Sequence, residues 1–473
     1  MTSSAEKPFG GGIIVDAVHG DIHLKPRELD VLDTASFQRL RHIKQLGMGQ
    51  VTYPNATHTR FAHSIGVLGI MARVLDVASD RLGLDDRQEE NLRLAALLHD
   101  IGQYPYSHMM EGMRATRLTE EEFGESPSSE RTAGPEEPEF PDHESLGHLI
   151  VTHQEDLIKA LGGLERAEEI ARIFTRQDTA SLQISKLIHS SLDMDRLDYL
   201  LRDSQACGVP YGQVDINYIL NNLKASPGGM VGITSKALPA AEHVLLARYY
   251  MHRTVYYHKT TFGMEEACRH LLRRIRGREE YGIPRHGGEV SEIVKGAGLL
   301  TFTDAMVDRA VREAAHDSDQ VVAALAGAIL NRRPPKLLKE VCILAQRGEA
   351  HHEGKGFRTD CKHRLGGLAK QFGIPLGQFI FCQTRPLRLE QRGGHMTADE
   401  ARDMPSEQED ELIKVFKDGE EEPTSMVDVP NTWLEVLGAY FFQAFRLYVV
   451  CDGEEQAGKV ADMREDVKSW DKV

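Results

Sequence analysis

The chain lacks an excess of positive charge, and this absence narrows the classes of function it can have. Its 473 residues carry a formal net charge of −16, with a pI of about 5.7. Proteins with a broad nucleic-acid-binding surface show the opposite balance, because lysine and arginine neutralise the phosphates. We therefore do not expect nucleic acid as a partner, although a local basic pocket for a few phosphates is compatible with this charge.

Long uncharged apolar runs and a secretory leader are also missing. No apolar stretch approaches the roughly 18 uncharged residues that a membrane-spanning helix needs, and the start from Met1 to Lys7 has no apolar signal core. The six cysteines are scattered without CxxC spacing, which argues against a disulfide framework or a zinc knuckle. These absences predict a cytoplasmic protein with reduced thiols and no membrane segment.

The spacing of apolar residues predicts a mainly α fold. Helical periodicity dominates up to about residue 276 and returns over 302–331. Short strands are expected over 13–24, 377–383 and 445–451, and a small hairpin over 226–235. We expect a helical catalytic lobe with small β-hairpins over residues 1–290, and a smaller mixed α/β lobe over residues 291–473. The acidic segment 116–141 predicts a mobile loop within the first lobe, and 397–424 a second acidic linker.

His99 and Asp100 form the most informative pair of residues in the sequence. They directly follow an apolar run, Leu94 to Leu98, which is expected to be a buried helix. An imidazole and a carboxylate are therefore expected to be buried at its end. Buried polar groups need partners, and a divalent metal ion satisfies both types at once. An ordinary capped helix end is the alternative for this pair taken alone. His63 upstream and Asp195 downstream complete a set of four ligands that leaves positions open for water and substrate.

Several residues near this pair are suited to phosphate chemistry. Arg60 lies three residues before His63, so on a helix it shares a face with it and can bind a phosphate; the alternative is a surface arginine. The Gly- and Pro-containing loop after Asp100 can return His108 toward the metal as a proton donor. His143 is a second candidate imidazole, and either of two carboxylates is placed to orient a catalytic histidine, Glu111 or Glu144.

Two helical faces combine basic, phenolic and imidazole groups. Asp195, Tyr199 and Arg202 share one face, and Arg248, His252 and Tyr256 share another. Such faces suit a triphosphate and a flat sugar ring. An amphipathic core helix that carries tyrosines is the alternative for the second face.

Together these motifs resemble one family, the deoxynucleoside triphosphate (dNTP) triphosphohydrolases of the HD superfamily. The shared blocks cover roughly residues 13–265 in the same order, and include Asp33–Gly47, Arg60–Ser64, His99-Asp100, Pro105–Met109 and His252–Lys259. The resemblance implies hydrolysis of a dNTP to deoxynucleoside and inorganic triphosphate. It also implies one divalent metal (Mn, Fe, Mg or Zn) on His63, His99, Asp100 and Asp195, with further Mg bound to the triphosphate.

The resemblance also assigns roles to other residues. Arg60 would grip the phosphate nearest the sugar, and His108 would protonate the leaving 5′ oxygen with help from His143. The remaining substrate contacts would come from Gln45, Leu46, Gln103, Arg196, Tyr199, Asp203, Arg248, His252, Tyr256 and Tyr257. In the family, the tyrosine that matches Tyr256 leaves no room for a 2′-hydroxyl.

Regulation by an activating nucleotide and assembly into a homo-oligomer, a tetramer or larger, are further implications. Four residues match regulatory positions of the family: Asp33, Arg41, Lys236 and Lys259. Gly12 departs from that pattern, because regulated members carry a lysine there. Gln103 departs in the catalytic loop, where the family commonly has histidine, and an amide cannot carry the positive charge of an imidazolium.

Two other functions remain open from the sequence. An HD-type phosphomonoesterase or nuclease, acting on nucleotides or single-stranded nucleic acid, would keep the metal site and change the substrate. A nucleotide-sensing scaffold without turnover would keep only the pocket.

Overall fold

The computed structural model describes residues 11–111, 113, 138–175, 194–226, 230–346, 352–388, 413–433 and 440–470. Most of the predicted acidic loop 116–141 lies outside these ranges, as does part of the linker 397–424. Within the described residues the protein is mainly helical with small sheets. The predicted fold class is therefore confirmed.

The helices before residue 210 build the part of the molecule that carries the predicted metal ligands. They are α1 (Pro26–Leu32), α2 (Ala35–Gln38), α3 (Arg60–Leu82), α4 (Asp86–Leu98), α5 (His143–His153), α6 (Glu155–Leu161), α7 (Leu164–Phe174) and α8 (Met194–Cys207). The later helices are α9 (Ile216–Asn221), α10 (Leu238–Met251), α11 (Lys259–Ile275), α12 (Gly287–Lys295), α13 (Asp304–Ala314), α14 (Gln320–Leu330), α15 (His352–Phe372), α16 (Gly453–Gly458) and α17 (Val460–Val467).

Local sequence sets the ends of the two central helices. Helix α4 begins with a capping box in which Asp85 and Gln88 each accept a hydrogen bond from the other's backbone N–H. It ends at His99, which is its C-cap residue. Helix α3 ends at Gly83, whose φ of 65° is the left-handed conformation that closes many helices. Because α3 packs against both α4 and α8, residues from three distant parts of the chain can face one point.

Three small sheets accompany the helices. Strands β1 (Ile13–Asp16) and β2 (Gly20–His23) form an antiparallel hairpin with Ile13 opposite His23. Strands β3 (Leu223–Ala225) and β4 (Val231–Thr234) form a hairpin, which β8 (Lys414–Phe416) and β9 (Thr424–Ser425) extend. The hairpin predicted over 226–235 contains β4, whereas β3 lies just before that range. In the third sheet, β10 (Tyr440–Val449) lies between β5 (Lys336–Gln346) and β6 (Phe379–Gln383) and also pairs with β7 (Leu387–Arg388).

Buried apolar side chains of the described residues form one large cluster, a smaller second one, and a third of only Leu387, Phe442 and Ala444. The large cluster runs from Ile22 to Ala328 and takes in a few later residues, such as Tyr448. The second joins side chains of β5, β10, α15 and α17, between Leu338 and Trp470. Helices α12 to α14 contribute to the large cluster, and the lobe boundary at residue 290 stays a prediction.

Among the described residues, one helical stretch, Arg60–Asp80, is long and apolar enough to cross a membrane by length and composition alone. This stretch contains Arg73 and Asp76, so it is not the uncharged run that the sequence analysis looked for. Most of the apolar part of this stretch is buried inside the protein, as expected for the central helix of a large core.

Candidate metal and proton-transfer site

The four predicted metal ligands come together at the junction of α3, α4 and α8. His63 lies in the first turn of α3, and His99 and Asp100 follow α4 directly. Asp195 is the second residue of α8. Histidine Nε2 and carboxylate oxygen atoms of His63, His99 and Asp195 all lie within 4.8 Å of one another.

The distances place one carboxylate oxygen from each aspartate between the two imidazoles. His63 Nε2 lies 2.9 Å from Asp195 Oδ1 and 3.5 Å from Asp100 Oδ2. His99 Nε2 lies 3.8 Å from Asp100 Oδ2 and 3.9 Å from Asp195 Oδ1. The structure therefore brings together all four residues of the predicted set.

The ring nitrogens of the two histidines support a bound cation. His63 Nδ1 is hydrogen-bonded to Asp198 Oδ2 at 2.7 Å, and His99 Nδ1 to the carbonyl oxygen of Ala96 at 2.8 Å. Both Nδ1 atoms are donors, so Nε2 carries the lone pair in the neutral form of each ring, which is the form that binds a metal. Neither buried Nε2 makes a well-formed hydrogen bond, although His63 Nε2 lies close to Asp195 Oδ1. Two orphaned imidazole nitrogens facing two carboxylates fit a divalent metal ion.

The electrostatics of the cluster favour positive charge at its centre. Burial lowers the pKa of His63, but its hydrogen bond to Asp198 and the negative charges of Asp195 and Asp198 outweigh this effect and raise the pKa to about 10. This ring therefore holds a proton that a bound metal ion would displace. Burial opposes ionisation of Asp195, yet contact with His63 and the nearby His99 lower its pKa to about 2. The Asp195 side chain is also 36 % exposed, while His63 is fully buried. The cluster is thus open to solvent on one side, as a catalytic metal site must be.

Asp198 was not among the predicted site residues, although it lies three positions after Asp195. Besides His63, its carboxylate accepts hydrogen bonds from Arg202 Nε and Nη2, both at 2.8 Å. His19 Nε2, from the β1–β2 hairpin, donates a further bond at 2.7 Å. Burial opposes ionisation, but these hydrogen bonds hold the pKa of Asp198 well below its usual range. The i, i+4 spacing of Asp198 and Arg202 was the available sequence signal.

Arg60 joins the metal cluster to a second polar group. Its Nη1 donates to Asp100 Oδ2 at 2.7 Å and its Nε to Ser107 Oγ at 2.9 Å, and its Nη2 lies 3.3 Å from His108 Nε2. The residue is 5 % exposed, which rules out the alternative of a surface arginine.

The second group consists of His108, Glu111 and His143. Glu111 accepts from His108 Nδ1 at 2.6 Å, from His143 Nδ1 at 2.7 Å and from the His143 backbone N–H at 2.8 Å. Burial opposes ionisation of Glu111, but the two imidazoles hold its pKa well below the usual range. Glu111 is thus the carboxylate that orients the predicted proton donor. Glu144, the other candidate, lies in the first turn of α5.

The loop that carries His108 has an unusual backbone. Tyr106 and Ser107 are consecutive non-glycine residues in the left-handed region, with φ of 58° and 59°. Asp304 accepts a hydrogen bond from the Tyr106 backbone N–H at 2.6 Å, and Ser107 Oγ donates to the carbonyl oxygen of Lys44 at 2.7 Å. Such strain persists only where the surroundings enforce it, and it is common at functional sites.

Gln45 and Gln103 line the same region. Gln103 Nε2 donates to Asp100 Oδ1 at 2.9 Å, and its Oε1 is buried without a hydrogen-bond partner. The side-chain oxygen of Gln45 is also buried and unpaired, and the Gln45 carbonyl oxygen accepts from Ser107 Oγ at 3.1 Å. The neighbouring Leu46 is half-buried.

The predicted sugar and base contacts form an aromatic group around Asp203. Tyr256 donates from its hydroxyl to Asp203 at 2.7 Å, and burial together with Asp203 raises the Tyr256 pKa well above its usual value. The Tyr256 ring packs edge-on against His252 at 4.8 Å and Tyr199 at 6.3 Å. Burial and the nearby Arg248 lower the pKa of His252 to about 3, so this imidazole is neutral.

Arg196 and Tyr257 adjoin this aromatic group. Arg196 follows Asp195 on α8 and contributes to the low pKa of His252. The Tyr257 ring lies 5.7 Å from that of His252.

The predicted regulatory residues are exposed and belong to separate elements. Asp33 is the C-cap of α1, Arg41 stacks 3.6 Å over the Phe61 ring, and Lys236 lies just before α10. Gly12, the departure noted above, accepts a backbone hydrogen bond from Leu24. Lys259 borders a cavity of about 430 Å³ with basic lining residues that include Lys336, Lys339 and Arg464.

Family models match two adjacent parts of the chain. An HD domain model matches residues 60–203, which contain all four predicted ligands, and a model of the HD-associated region matches residues 214–280. Residues 60–203 therefore form an HD domain.

Similar proteins include both characterised and uncharacterised ones. An uncharacterised protein of Methanocaldococcus jannaschii is 35 % identical over 251 residues, 52 % of this chain and 46 % of that protein. A deoxynucleoside triphosphate triphosphohydrolase SAMHD1 homologue of Dictyostelium discoideum is 28 % identical over 256 residues, 54 % of this chain and 47 % of that protein. The chain thus spans about half the length of these curated relatives.

A solved structure shows the same fold over almost the whole chain. It is that of a phosphohydrolase from Bacteroides thetaiotaomicron, which superposes with a TM-score of 0.65 at 22 % identity. The match covers 93 % of this chain and 99 % of that one.

Proposed function

We propose that this protein is a metal-dependent hydrolase that converts dNTPs to deoxynucleosides and inorganic triphosphate. The observation that supports it most strongly is the joining of two sites by one guanidinium. Arg60 contacts the metal ligand Asp100 on one side and the proton donor candidate His108 on the other. Phosphoester hydrolysis needs charge neutralisation and a proton for the leaving oxygen within one substrate's reach.

Each group has a defined task in this reaction. A divalent ion held by His63, His99, Asp100 and Asp195 would polarise phosphate oxygens and activate water. Arg60 neutralises charge on the phosphate nearest the sugar, because its guanidinium already lies between the two groups. His108 delivers a proton from Nε2 to the leaving 5′ oxygen, while Glu111 holds the ring in place through the hydrogen bond from its Nδ1–H. His143 shares the same carboxylate and assists.

The dNTP is the substrate class that the site residues and one relative's name jointly support. The aromatic group of Tyr199, His252 and Tyr256 supplies flat surfaces for a sugar and a base. The hydrogen bond from Tyr256 to Asp203 fixes that ring, so a closely packed sugar would leave no space for a 2′-hydroxyl. The Dictyostelium relative is named as a dNTP triphosphohydrolase.

Regulation by a nucleotide is part of the same proposal. The cavity beside Lys259 carries three further basic side chains, which suits a polyphosphate. We expect activation by a bound nucleotide and a homo-oligomer of four or more chains in the cytoplasm.

The test is chromatography of the products formed from all dNTPs and NTPs with Mn²⁺, Mg²⁺, Fe²⁺ or Zn²⁺, with and without a second nucleotide. We expect intact triphosphate and deoxynucleoside from dNTPs only, and none with His99→Ala. If no dNTP is consumed under any of these conditions, the proposal is wrong.

A phosphomonoesterase is a second candidate, which the contact between Gln103 and Asp100 favours. An amide in place of the family's common histidine changes the charge on the phosphate side of the site. Release of orthophosphate from dNMPs by the wild type, but not by His99→Ala, would identify this activity in the same experiment.

A further inference from the structure

We propose that His19, in the N-terminal β1–β2 hairpin, is a positioning residue for the metal ligand His63 and acts through Asp198. His19 Nε2 lies 2.7 Å from Asp198 Oδ1, and Asp198 Oδ2 lies 2.7 Å from His63 Nδ1. The three side chains form a continuous line from the hairpin to the cluster. The inference rests on the proposed function only in that a divalent ion binds His63 Nε2.

The direction of each hydrogen bond in this line is fixed. Arg202 donates from Nε to Asp198 Oδ2 and from Nη2 to Asp198 Oδ1, both at 2.8 Å, and a guanidinium can only donate, so both oxygen atoms of this carboxylate are acceptors. His19 Nε2 and His63 Nδ1 must therefore both donate to it. A donating Nδ1 leaves the Nε2 of a neutral His63 with its lone pair directed away from Asp198, where the other ligands lie. Asp198 thus selects the tautomer of His63 that can bind a metal.

His19 is held in place by the turn that contains it. Asp16 Oδ1 accepts from the backbone N–H groups of Val18 and His19, both at 2.9 Å. The same carboxylate accepts from Arg202 Nη1 at 2.9 Å and Nη2 at 3.2 Å. Arg202 in turn donates to Asp198. The hairpin is therefore joined to α8 through Asp16, Ala17 and His19, and in these contacts the His19 side chain is the one that reaches Asp198.

Gly66 in α3 leaves the space that the Asp198 carboxylate occupies. A Cβ atom on Gly66 would lie 1.9 Å from Asp198 Oδ1 and 2.3 Å from Arg202 Nη2. Any larger residue at this position in α3 would push the carboxylate away from His63. The sequence thus keeps the Asp198 carboxylate close to α3, one turn from the ligand that it orients.

The chain offers a matched control in a second histidine–aspartate pair. His58 Nε2 lies 2.7 Å from Asp203 Oδ1, also on α8. Asp203 accepts its other hydrogen bond from Tyr256 rather than from a metal ligand. Loss of His58 removes the same type of bond at similar burial without touching the line to His63.

The experiment measures Mn²⁺ affinity by electron paramagnetic resonance on the full chain without nucleotide, so it does not depend on the substrate. We expect Asp198→Asn to weaken Mn²⁺ binding about 10- to 100-fold, the range typical of outer-shell partners. His19→Ala should weaken it about tenfold, and His19→Gln should restore most of the loss, because an amide N–H can still donate to Asp198.

His58→Ala should change the Mn²⁺ affinity by less than about twofold, because the hydrogen bonds described for His58 and Asp203 go to each other, to Gln45 and to Tyr256 rather than to a metal ligand. Circular dichroism and the rise in Tm on adding Mn²⁺ show whether each variant is folded and binds metal. Unchanged Mn²⁺ affinity in folded His19→Ala, or an equal loss in His58→Ala, would overturn the inference. Normal metal binding with no dNTP hydrolysis would instead contradict the proposed function alone.

Discussion

Two groups of histidines and carboxylates lie side by side in this protein, and both have the composition of a metal site. In the first, around His63 and His99, the outward-facing Nδ1 atoms are hydrogen-bonded, and the inward-facing Nε2 atoms face the carboxylates of Asp100 and Asp195 without a well-formed hydrogen bond. In the second, one carboxylate, Glu111, binds both imidazoles and a backbone N–H. The ligand atoms of each group lie within 4.8 Å of one another.

The difference shows that residue type and proximity do not by themselves define a metal site. Glu111 already accepts three hydrogen bonds, and its two histidines use their Nδ1 atoms for them, so this group is suited to holding and delivering a proton. In the first group, imidazole Nε2 atoms and carboxylate oxygen atoms face one another, and a bound cation would be a partner for all of them. The hydrogen bonds that each group already makes therefore distinguish the metal site from the proton-transfer group, whereas the distances between ligand atoms do not.

The largest effect is expected for a change in the first group. Asp100→Asn or His99→Ala should abolish Mn²⁺ binding and lower kcat/KM by about 10³-fold or more, because a metal supplies several kcal/mol of transition-state stabilisation. Isothermal titration with Mn²⁺ and the product assay check both quantities. Full activity in a variant that no longer binds metal would contradict the assignment.

A change in the second group should affect the rate and not the metal. His108→Gln is expected to lower kcat about 10²- to 10⁴-fold, the usual contribution of a general acid. Mn²⁺ affinity should stay at the wild-type value, since His108 is not a ligand. A parallel loss of Mn²⁺ binding would mean that the second group holds a metal as well.

A smaller effect is expected from the packing beneath the first group. Gly66→Ala should lower the free energy of unfolding by about 1–3 kcal/mol, as overpacking usually does, and should also weaken Mn²⁺ binding by displacing Asp198. Gly69→Ala is the matched control on α3, because its Cβ would meet only the end of the Ile22 side chain, 2.8 Å away. Chemical denaturation with and without Mn²⁺ compares the two. Equal Mn²⁺ affinities would remove the proposed link between Gly66 and the site.

The smallest effect concerns the aromatic group, which belongs to neither cluster. Tyr256→Phe removes the hydrogen bond to Asp203, and we expect KM for a dNTP to rise by up to about tenfold, which corresponds to about 1.4 kcal/mol. Steady-state kinetics would show this with little change in kcat and none in Mn²⁺ affinity. A drop in kcat as large as that of His108→Gln would place Tyr256 in the chemical step.

The sequence predicted the metal ligands more completely than the residues that orient them, because the ligands have local sequence signals and the orienting contacts do not. An apolar helix that ends in His99 and Asp100 carries its own signal, and Arg60 lies one helical turn before His63. The contact of His19 with Asp198 joins residues 179 positions apart, and no local periodicity encodes it. The choice of Glu111 over Glu144 depended in the same way on the loop backbone at Tyr106 and Ser107.

The apolar composition of helix α3 alone does not distinguish a membrane-spanning helix from a buried core helix. The Arg60–Asp80 stretch reads as a membrane span by composition, yet it is buried by α4 and α8, which lie elsewhere in the sequence. Only the tertiary packing distinguishes a core helix from a spanning one.

Anomalous diffraction from crystals soaked in Mn²⁺ tests the central claim most directly. The account predicts one strong peak within bonding distance of His63 Nε2 and His99 Nε2, about 2.0–2.3 Å, with Asp100 and Asp195 as the other protein ligands. A peak beside Glu111, or none near His63 at saturating Mn²⁺, would contradict it.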